Sequence, residues 1–425
     1  MQNITFTTNV GKNTLEHLKL LLKSLQTNLD NKEHEILIFI DADNENMLQW
    51  LLSVKDEFHD LKIIENNQNA PVGYAVNKTI LTEYAKYDII SYLQADMVIG
   101  PHYDTEILKH VKPKRILSAT RVEPPLHGVS DITITHDFGL DPNGFDMNSW
   151  NAFSETVKTD KLIDYFFAPI TYYKQDWLDL GGYDTIFRRS REDSDLVQRC
   201  LHSGIELIQT FSANVYHFTC VSSRGNDWFN LNNKKAQDRV SSQNFADQIE
   251  LRRFFRKWGN FNHIGDKLKR FNVDLLVKNC DIESVYRIEP FFDKIWLTDL
   301  TSEQDLFILL QLYEKDYDVS NQLYEISDEL WQTHKLNYRL DDIHKKINIG
   351  EPDIYNVLVT IDFKKISTTN AFINSLPHLY DLLSGCEVGE YELDGVLVSV
   401  KKLETKCPEI TINNPAFYKD KITIY

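Results

Sequence analysis

Two hydrophobic periods take turns along the first hundred residues. Ile4 to Thr8 is a short apolar run and reads as a strand. Leu15, Leu18, Leu22 and Leu25 then recur at helical spacing, which predicts an amphipathic helix. The same alternation continues. Glu35 to Ile40 reads as a strand, Asn46 to Phe58 as a helix, Leu61 to Ile64 as a short strand, Gly73 to Tyr84 as a helix and Asp88 to Leu93 as a buried strand. Strands that alternate with helices predict an α/β fold with a mostly parallel central sheet and helices on both faces.

The rhythm changes after Gly100. From Pro101 to Trp150 the chain carries Pro-Pro, Pro-Asn-Gly and single aromatics, so a strand over Ile116 to Thr120 is expected within a largely irregular stretch. Long irregular stretches inside a domain often form binding loops. Phe166 to Tyr173 reads as a strand, and Lys174 to Leu180 as a short helix stopped by Gly181-Gly182. Asp193 to His202 reads as a helix, and Ile205 to Ile208 and Asn214 to Phe218 as two strands. A basic amphipathic helix over Ile249 to Trp258 stops at Gly259-Asn260. A boundary follows, giving domains 1–262 and 263–425. The second is expected to be a smaller α+β domain with an acidic helical part from Ser302 to Ile347 and strands at Val357 to Asp362 and Gly395 to Lys401.

The total of 425 residues suits two domains. A formal charge of -17 makes the chain a poor partner for nucleic acid, whose phosphates it repels. The five cysteines, Cys200, Cys220, Cys280, Cys386 and Cys407, are scattered without a CxxC pair, so neither a disulfide framework nor a zinc knuckle is expected. No apolar run is long enough to span a bilayer. The start, Met1-Gln2-Asn3-Ile4, lacks a basic region followed by an apolar core. A cytoplasmic protein, with a possible peripheral association at a membrane, is the expectation.

Acidic residues fall where such a sheet binds ligands. Asp41 and Asp43 close one apolar run, and Gln94-Ala95-Asp96 closes another. Carboxylates at the C-terminal ends of parallel strands line the crevice where open α/β sheets hold ligands. Asp41 suits a nucleobase imide or a ribose hydroxyl, and equally a strand-end turn. Asp96 suits Mg²⁺ or Mn²⁺, which prefer oxygen, or a helix cap. Gly73 ahead of Asn77 lets the backbone approach an anion at a helix start. Glu192-Asp193-Ser194-Asp195 crowds three carboxylates behind Arg188, Arg189 and Arg191. Such crowding suits a general base for an acceptor hydroxyl, or simple charge complementarity at a helix N-terminus. His217 reads as a metal ligand or as a hydrogen-bonded core histidine. His127 and His136 have no ligand spacing.

The order of these pieces resembles glycosyltransferase family 2, with its GT-A fold, over about residues 3–259. The pieces are the strand ending at Asp41, Gly73 with Asn77, the strand ending at Asp96, Gly181-Gly182-Tyr183-Asp184, Glu192-Asp193, and Val215-Tyr216-His217. The resemblance implies a hexosyltransferase-like enzyme that moves a sugar from a UDP- or GDP-linked donor to a glycan or other hydroxyl, in an inverting reaction helped by Mn²⁺ or Mg²⁺. It implies donor contacts at Thr8, Asp41, Asp43, Gly73, Asn77, Gln94, Ala95, Asp96 and Arg191. It places the metal at Asp96 and His217, the general base at Asp193 with Glu192 in support, and weaker sugar or acceptor contacts at Arg121, Glu123, Tyr183, Asp184 and Asp195.

One departure is plain. The usual first aspartate of the DxD element is Gln94, which can bond a ribose hydroxyl but adds no charge. Arg121 and Glu123 also fit an ordinary proline-stiffened loop, and Trp150, Trp177 and Trp228 fit core positions as well as a sugar-stacking face. Two alternatives stand beside transfer. One is a sugar nucleotidyltransferase, for which Thr7-Thr8-Asn9-Val10-Gly11-Lys12 is a thin phosphate loop. The other is a nucleotide- or glycan-binding module without transfer, which Gln94 favours. The second domain is free to join subunits into a homo-oligomer.

Overall fold

The computed structural model describes residues 2–11, 14–41, 46–67, 73–126, 130–184, 187, 190–219, 250–260, 267–279, 282–298, 346–365, 375–393, 396–406 and 422–425. The chain divides into two compact units. The first comprises Met1–Arg188, Asp195–Asn244 and Ile412–Tyr425, and the second Arg189–Ser194 and Phe245–Thr411.

The first unit opens with β1 (Ile4–Val10), α1 (Leu15–Asn28), β2 (Glu35–Ile40), α2 (Met47–Val54), β3 (Asp60–Asn66), α3 (Tyr74–Tyr84) and β4 (Ile89–Tyr92). β1 to β4 are mutually parallel in the order β3-β2-β1-β4. Every residue of β2 is buried, as a parallel strand covered on both faces requires. α1 buries Leu18, Leu21, Leu22 and Leu25, the stripe that its sequence period sets. β5 (Met97–Ile99), α4 (Tyr103–Leu108), β6 (Arg115–Glu123), β7 (Thr133–Thr135), α5 (Met147–Val157), β8 (Leu162–Asp164), β9 (Ile170–Tyr173), α6 (Lys174–Asp179), α7 (Glu192–Ser203) and β10 (Glu206–His217) follow. The sheet continues from β4 in the order β9-β6-β10-β5. β9 and β5 run antiparallel to their neighbours, while β10 runs parallel to β6. The result is the mixed α/β sheet with flanking helices that a GT-A fold has.

The second unit holds β11 (Arg270–Phe271), β12 (Val273–Lys278), β13 (Lys294–Leu297), β14 (Ile347–Ile349), β15 (Val357–Asp362), β16 (Gly389–Leu393), β17 (Val396–Val400) and β18 (Thr405–Lys406). Six of these form a separate mixed sheet ordered β14-β13-β12-β15-β17-β16, and β11 pairs with β18. Residues 250–258 are helical, in line with the basic helix expected there. Most of the acidic stretch from Ser302 to Ile347 lies outside the described residues, and its last residue begins β14. The last strand, β19 (Ile422–Ile424), pairs antiparallel with β3 and so belongs to the first unit's sheet. Its alternating Ile-Thr-Ile pattern is too short to assign a partner from sequence alone.

Three local expectations change. The two strands expected at 205–208 and 214–218 are one strand, β10, interrupted by a bulge between Thr210 and Asn214. Nothing in Phe211-Ser212-Ala213 breaks an extended chain, and Ser212 N donates to Thr210 Oγ1 at 3.2 Å inside the bulge. β6 runs on to Glu123, so Arg121 and Glu123 sit on a buried strand rather than a loop. Residues 103–108 are helical, anchored by Asp104, whose carboxylate accepts from Asp30 N and Asn31 N at 2.9 Å each.

Asp104 also ties α4 to β1. Ile4 N donates to His34 Nδ1 at 3.0 Å, so His34 carries its hydrogen on Nε2 and donates to Asp104 Oδ2 at 3.1 Å. Burial alone would raise the Asp104 pKa, but these donors hold it below the usual carboxylate value. A depressed carboxylate stabilises the fold above its unfolded pKa of about 4 and loses that contribution as pH falls through the folded value. Urea titrations below pH 4 should therefore show a shallower loss of stability for Asp104→Asn than for the natural chain. Equal slopes would remove Asp104 from the acid response. Gly100 tests the packing at β5. A Cβ there would lie 2.2 Å from Ser154 Oγ and 2.5 Å from Asn214 Oδ1, two atoms that already bond each other at 2.5 Å. Gly100→Ala should cost about 1–3 kcal/mol in urea unfolding.

Candidate functional site

The C-terminal ends of β1, β2 and β4 lie side by side, because register pairs Val10 with Ile40 and Thr7 with Tyr92. Thr8, Asp41 and Gln94 therefore share one rim of the sheet. Asp41 is buried, and its backbone N–H bonds Val10 O at 2.9 Å. Its carboxylate accepts from Asn77 Nδ2 at 2.9 Å, Asn66 Nδ2 at 3.3 Å and Gly73 N at 3.4 Å. Gly73 takes φ 91, a conformation glycine adopts without strain, and caps α3. Asp41 thus fixes the start of α3.

Because Asp41 can only accept, Asn77 must aim its amide nitrogen at it, which leaves Asn77 Oδ1 on the other side. That oxygen is buried without a partner, as are Thr8 Oγ1 and Gln94 Oε1. Buried polar atoms are nearly always bonded, so three orphans on β1, the end of β4 and the first turn of α3 fit a ligand rich in N–H and O–H groups. Ala95 beside them is buried, and Tyr92 braces the same edge by donating to Asn9 Oδ1 at 2.6 Å.

The second cluster comes from an antiparallel return. β5 pairs with β10 so that Met97 faces His217, and Phe218 N donates to Asp96 O at 3.0 Å. Asp96 Oδ2 and His217 Nε2 lie 3.7 Å apart, both side chains more than nine-tenths buried. His217 Nδ1 sits 2.7 Å from Glu123 Oε1, which Arg121 Nη1 also reaches at 3.2 Å. Burial pushes the Glu123 pKa up, but the His217 hydrogen bond and the nearby Arg121 outweigh it and hold the carboxyl at about 2. Glu123 is therefore an ionised acceptor, and His217 Nδ1 is the donor. Nε2 is left facing the Asp96 carboxylate across 3.7 Å, a gap that a proton on Nε2 or a cation between the two can fill.

A carboxylate oxygen and an imidazole nitrogen suit Mn²⁺ or Mg²⁺. Their spacing lies within the span that metal–ligand bonds of about 2.0–2.2 Å allow. Among the described residues no group of three or more His, Cys, Asp or Glu side chains could hold an ion. A diphosphate and water would supply the remaining ligands.

The other expected residues fall elsewhere. Tyr183 is buried edge-on against Trp177, and Lys78 Nζ lies 4.3 Å from its ring. Asp184 is buried too. Asp195, fully buried, pairs with Arg199 at 2.8 Å, and Arg199 Nη1 in turn bonds Leu180 O at 2.7 Å, so this pair ties α7 to the end of α6. Glu192 is buried and Asp193 exposed in the first turn of α7, and Arg191 precedes them at φ 70. Trp150 and Trp177 are core residues, and His136 stacks on Phe153. Asp43, His127, Arg188, Arg189 and Trp228 lie outside the described residues. Sequence reading overlooked Asn66 and Lys78. Only the Tyr74-to-Lys78 helical spacing signalled the second.

Residues 5–163 match the glycosyl transferase family 2 model. The family resemblance drawn from the motifs holds over this stretch, which carries Thr8, Asp41, Asp96 and Glu123. No curated protein matches the chain. Among solved structures, GalNAc-T7 with UDP, GalNAc and Mn²⁺ is 14% identical, with 51% of this chain and 44% of that chain covered and a TM-score of 0.41. The mannosyltransferase PcManGT from Pyrobaculum calidifontis, in complex with GDP-Man and Mn²⁺, is 15% identical, with 59% and 65% covered and a TM-score of 0.39. TarS 1–349 of S. aureus in complex with UDP is 13% identical, with 80% and 93% covered and a TM-score of 0.39. The chain thus spans less than two thirds of the length of the first two.

Asp41 offers a check on this rim. Asp41→Ala takes the side-chain acceptor from Asn77 Nδ2 and Gly73 N, while Asn66 Nδ2 keeps the Asp41 backbone oxygen at 3.1 Å, and should lower stability by about 1–3 kcal/mol in urea unfolding. An unchanged midpoint would show that the α3 start is held by other contacts.

Proposed function

We propose that the protein is a glycosyltransferase that moves a hexose from a UDP- or GDP-linked donor to a hydroxyl of a glycan or similar acceptor, with inversion. The observation that carries this reading is the pairing of Asp96 with His217 Nε2 at 3.7 Å beside the unbonded acceptors of Thr8, Gln94 and Asn77, within a chain whose residues 5–163 match family 2. The donor's nucleoside lies against the strand ends. Gln94 and Thr8 receive ribose hydroxyls, and Asn77, oriented by Asp41, receives a nucleobase N–H. Asp96 and His217 hold a divalent cation, which stabilises the negative charge of the departing diphosphate. Gln94 in the first DxD position adds no charge, so Asp96 and His217 carry the cation with less help.

Asp193 is the general base. It heads α7, is exposed, and takes the acceptor proton as the hydroxyl oxygen attacks the anomeric carbon opposite the leaving group. Glu192, buried beside it, supports that turn. Gln94 adds no charge at the cation site, and this favours the alternative of a module that binds a nucleotide or glycan and does not transfer.

The test is donor turnover. The protein with Mn²⁺ and a panel of UDP- and GDP-sugars should release nucleoside diphosphate slowly and gain thermal stability with its donor. Stabilisation without release would support the binding module, and neither response with any donor would overturn the site. Asp193→Asn should lower transfer roughly 100- to 10,000-fold while donor affinity stays within about twofold. Lost donor binding would place Asp193 in the donor site instead.

A further inference from the structure

The Glu123–His217 hydrogen bond joins the ends of β6 and β10 beside Asp96. β6 and β10 are parallel in a register that sets Arg121 against Val215 and Val122 against Tyr216, so Glu123 and His217 stand next to each other at the strand ends. Arg121 shares the Glu123 face of β6. Its Nε donates to Ala168 O at 2.5 Å, its Nη1 to Glu123 Oε1 at 3.2 Å, and its guanidinium lies 3.4 Å from the Phe167 ring centroid. The Glu123 carboxylate is thus held on one side by a fastened arginine and turned on the other toward His217 Nδ1 at 2.7 Å.

We propose that Glu123 is a positioning residue for the cation site: it holds the His217 ring in the tautomer and orientation that point the Nε2 lone pair beside Asp96. The proposal rests on the reading that Asp96 and His217 bind the cation. Histidines that ligate metals usually donate their other N–H to a carboxylate, which fixes the ring and raises its basicity. Arg121 and His217 both reach Oε1, so that oxygen carries the positioning role.

Two measurements test it. In protein labelled with ¹⁵N-histidine and free of metal, long-range ¹⁵N–¹H spectra should show the His217 hydrogen on Nδ1. An Nε2–H tautomer would overturn the proposal without any variant. Mn²⁺ affinity, read by electron paramagnetic resonance of free ion in the presence of nucleoside diphosphate, should fall about 10- to 100-fold in Glu123→Ala. The loss should be smaller in Glu123→Gln, whose amide oxygen can still accept from Nδ1. Metal-free nucleotide binding should stay unchanged in both. A Glu123→Ala protein that folds and binds Mn²⁺ as tightly as the natural chain would overturn this role alone. A natural chain that binds no Mn²⁺ would overturn the cation reading beneath it. Should Glu123→Ala not fold, the tautomer and Glu123→Gln decide.

Discussion

The antiparallel return of Met97–Ile99 along β10 is the constraint on which the rest of the site depends. After Asp96 the chain turns back and pairs with the last residues of β10, so an aspartate at the end of β4 and a histidine over a hundred residues later become neighbours 3.7 Å apart. Without that turn, Asp96 would end a parallel strand like Asp41, and His217 would end a strand beside β6. Gly100 closes the far end of β5 against β10. Its backbone N–H bonds Asn214 O at 2.9 Å, and the space for a side chain is taken by Ser154 and Asn214.

Several carboxylates buried in this acidic chain sit among donors. Asp41 has amides, Asp104 has two backbone N–H groups and His34, and Glu123 has His217 and Arg121. In the second unit the fully buried Glu289 meets Arg252, Arg256 and Lys346, which together hold its carboxyl well below the usual range despite burial. Taking an unpaired carboxylate out of water costs several kcal/mol, so a fold keeps one inside only where the donors are already in place. At the sheet rim that rule has a second effect. Carboxylates spent on the scaffold orient Asn77, whose Oδ1 is left without a partner, and His217, whose Nε2 is turned to Asp96.

Much of the first unit was legible in the sequence. β2 begins and ends where its apolar run does, and β1, α1, β3, α3, β4 and α7 lie within a few residues of their expected bounds. Those elements announce themselves because burial on one stripe or both faces writes a period into the chain. The bulge in β10, the extension of β6 and the helix at 103–108 were not legible. Each depends on a long-range partner: the bulge on Thr120, whose hydroxyl donates to Thr210 O at 2.9 Å, Glu123 on His217, and Asp104 on residues 30, 31 and 34.

The sequence by itself determined the alternating α/β order, the strand-end positions of Thr8, Asp41, Gln94 and Asp96, and the motif order that pointed to family 2. These are local properties, fixed by hydrophobic period and by which residues end each run. Only the tertiary structure decided what each of those side chains faces. It gave Asp41 to α3, buried Tyr183 and paired Asp195 with Arg199, brought β19 back to β3, and turned Glu123 from a loop residue into the partner of His217. Side-chain direction at a strand end is set by register with strands far away in the chain, and a one-residue slip in that register would send each of these groups to the opposite face.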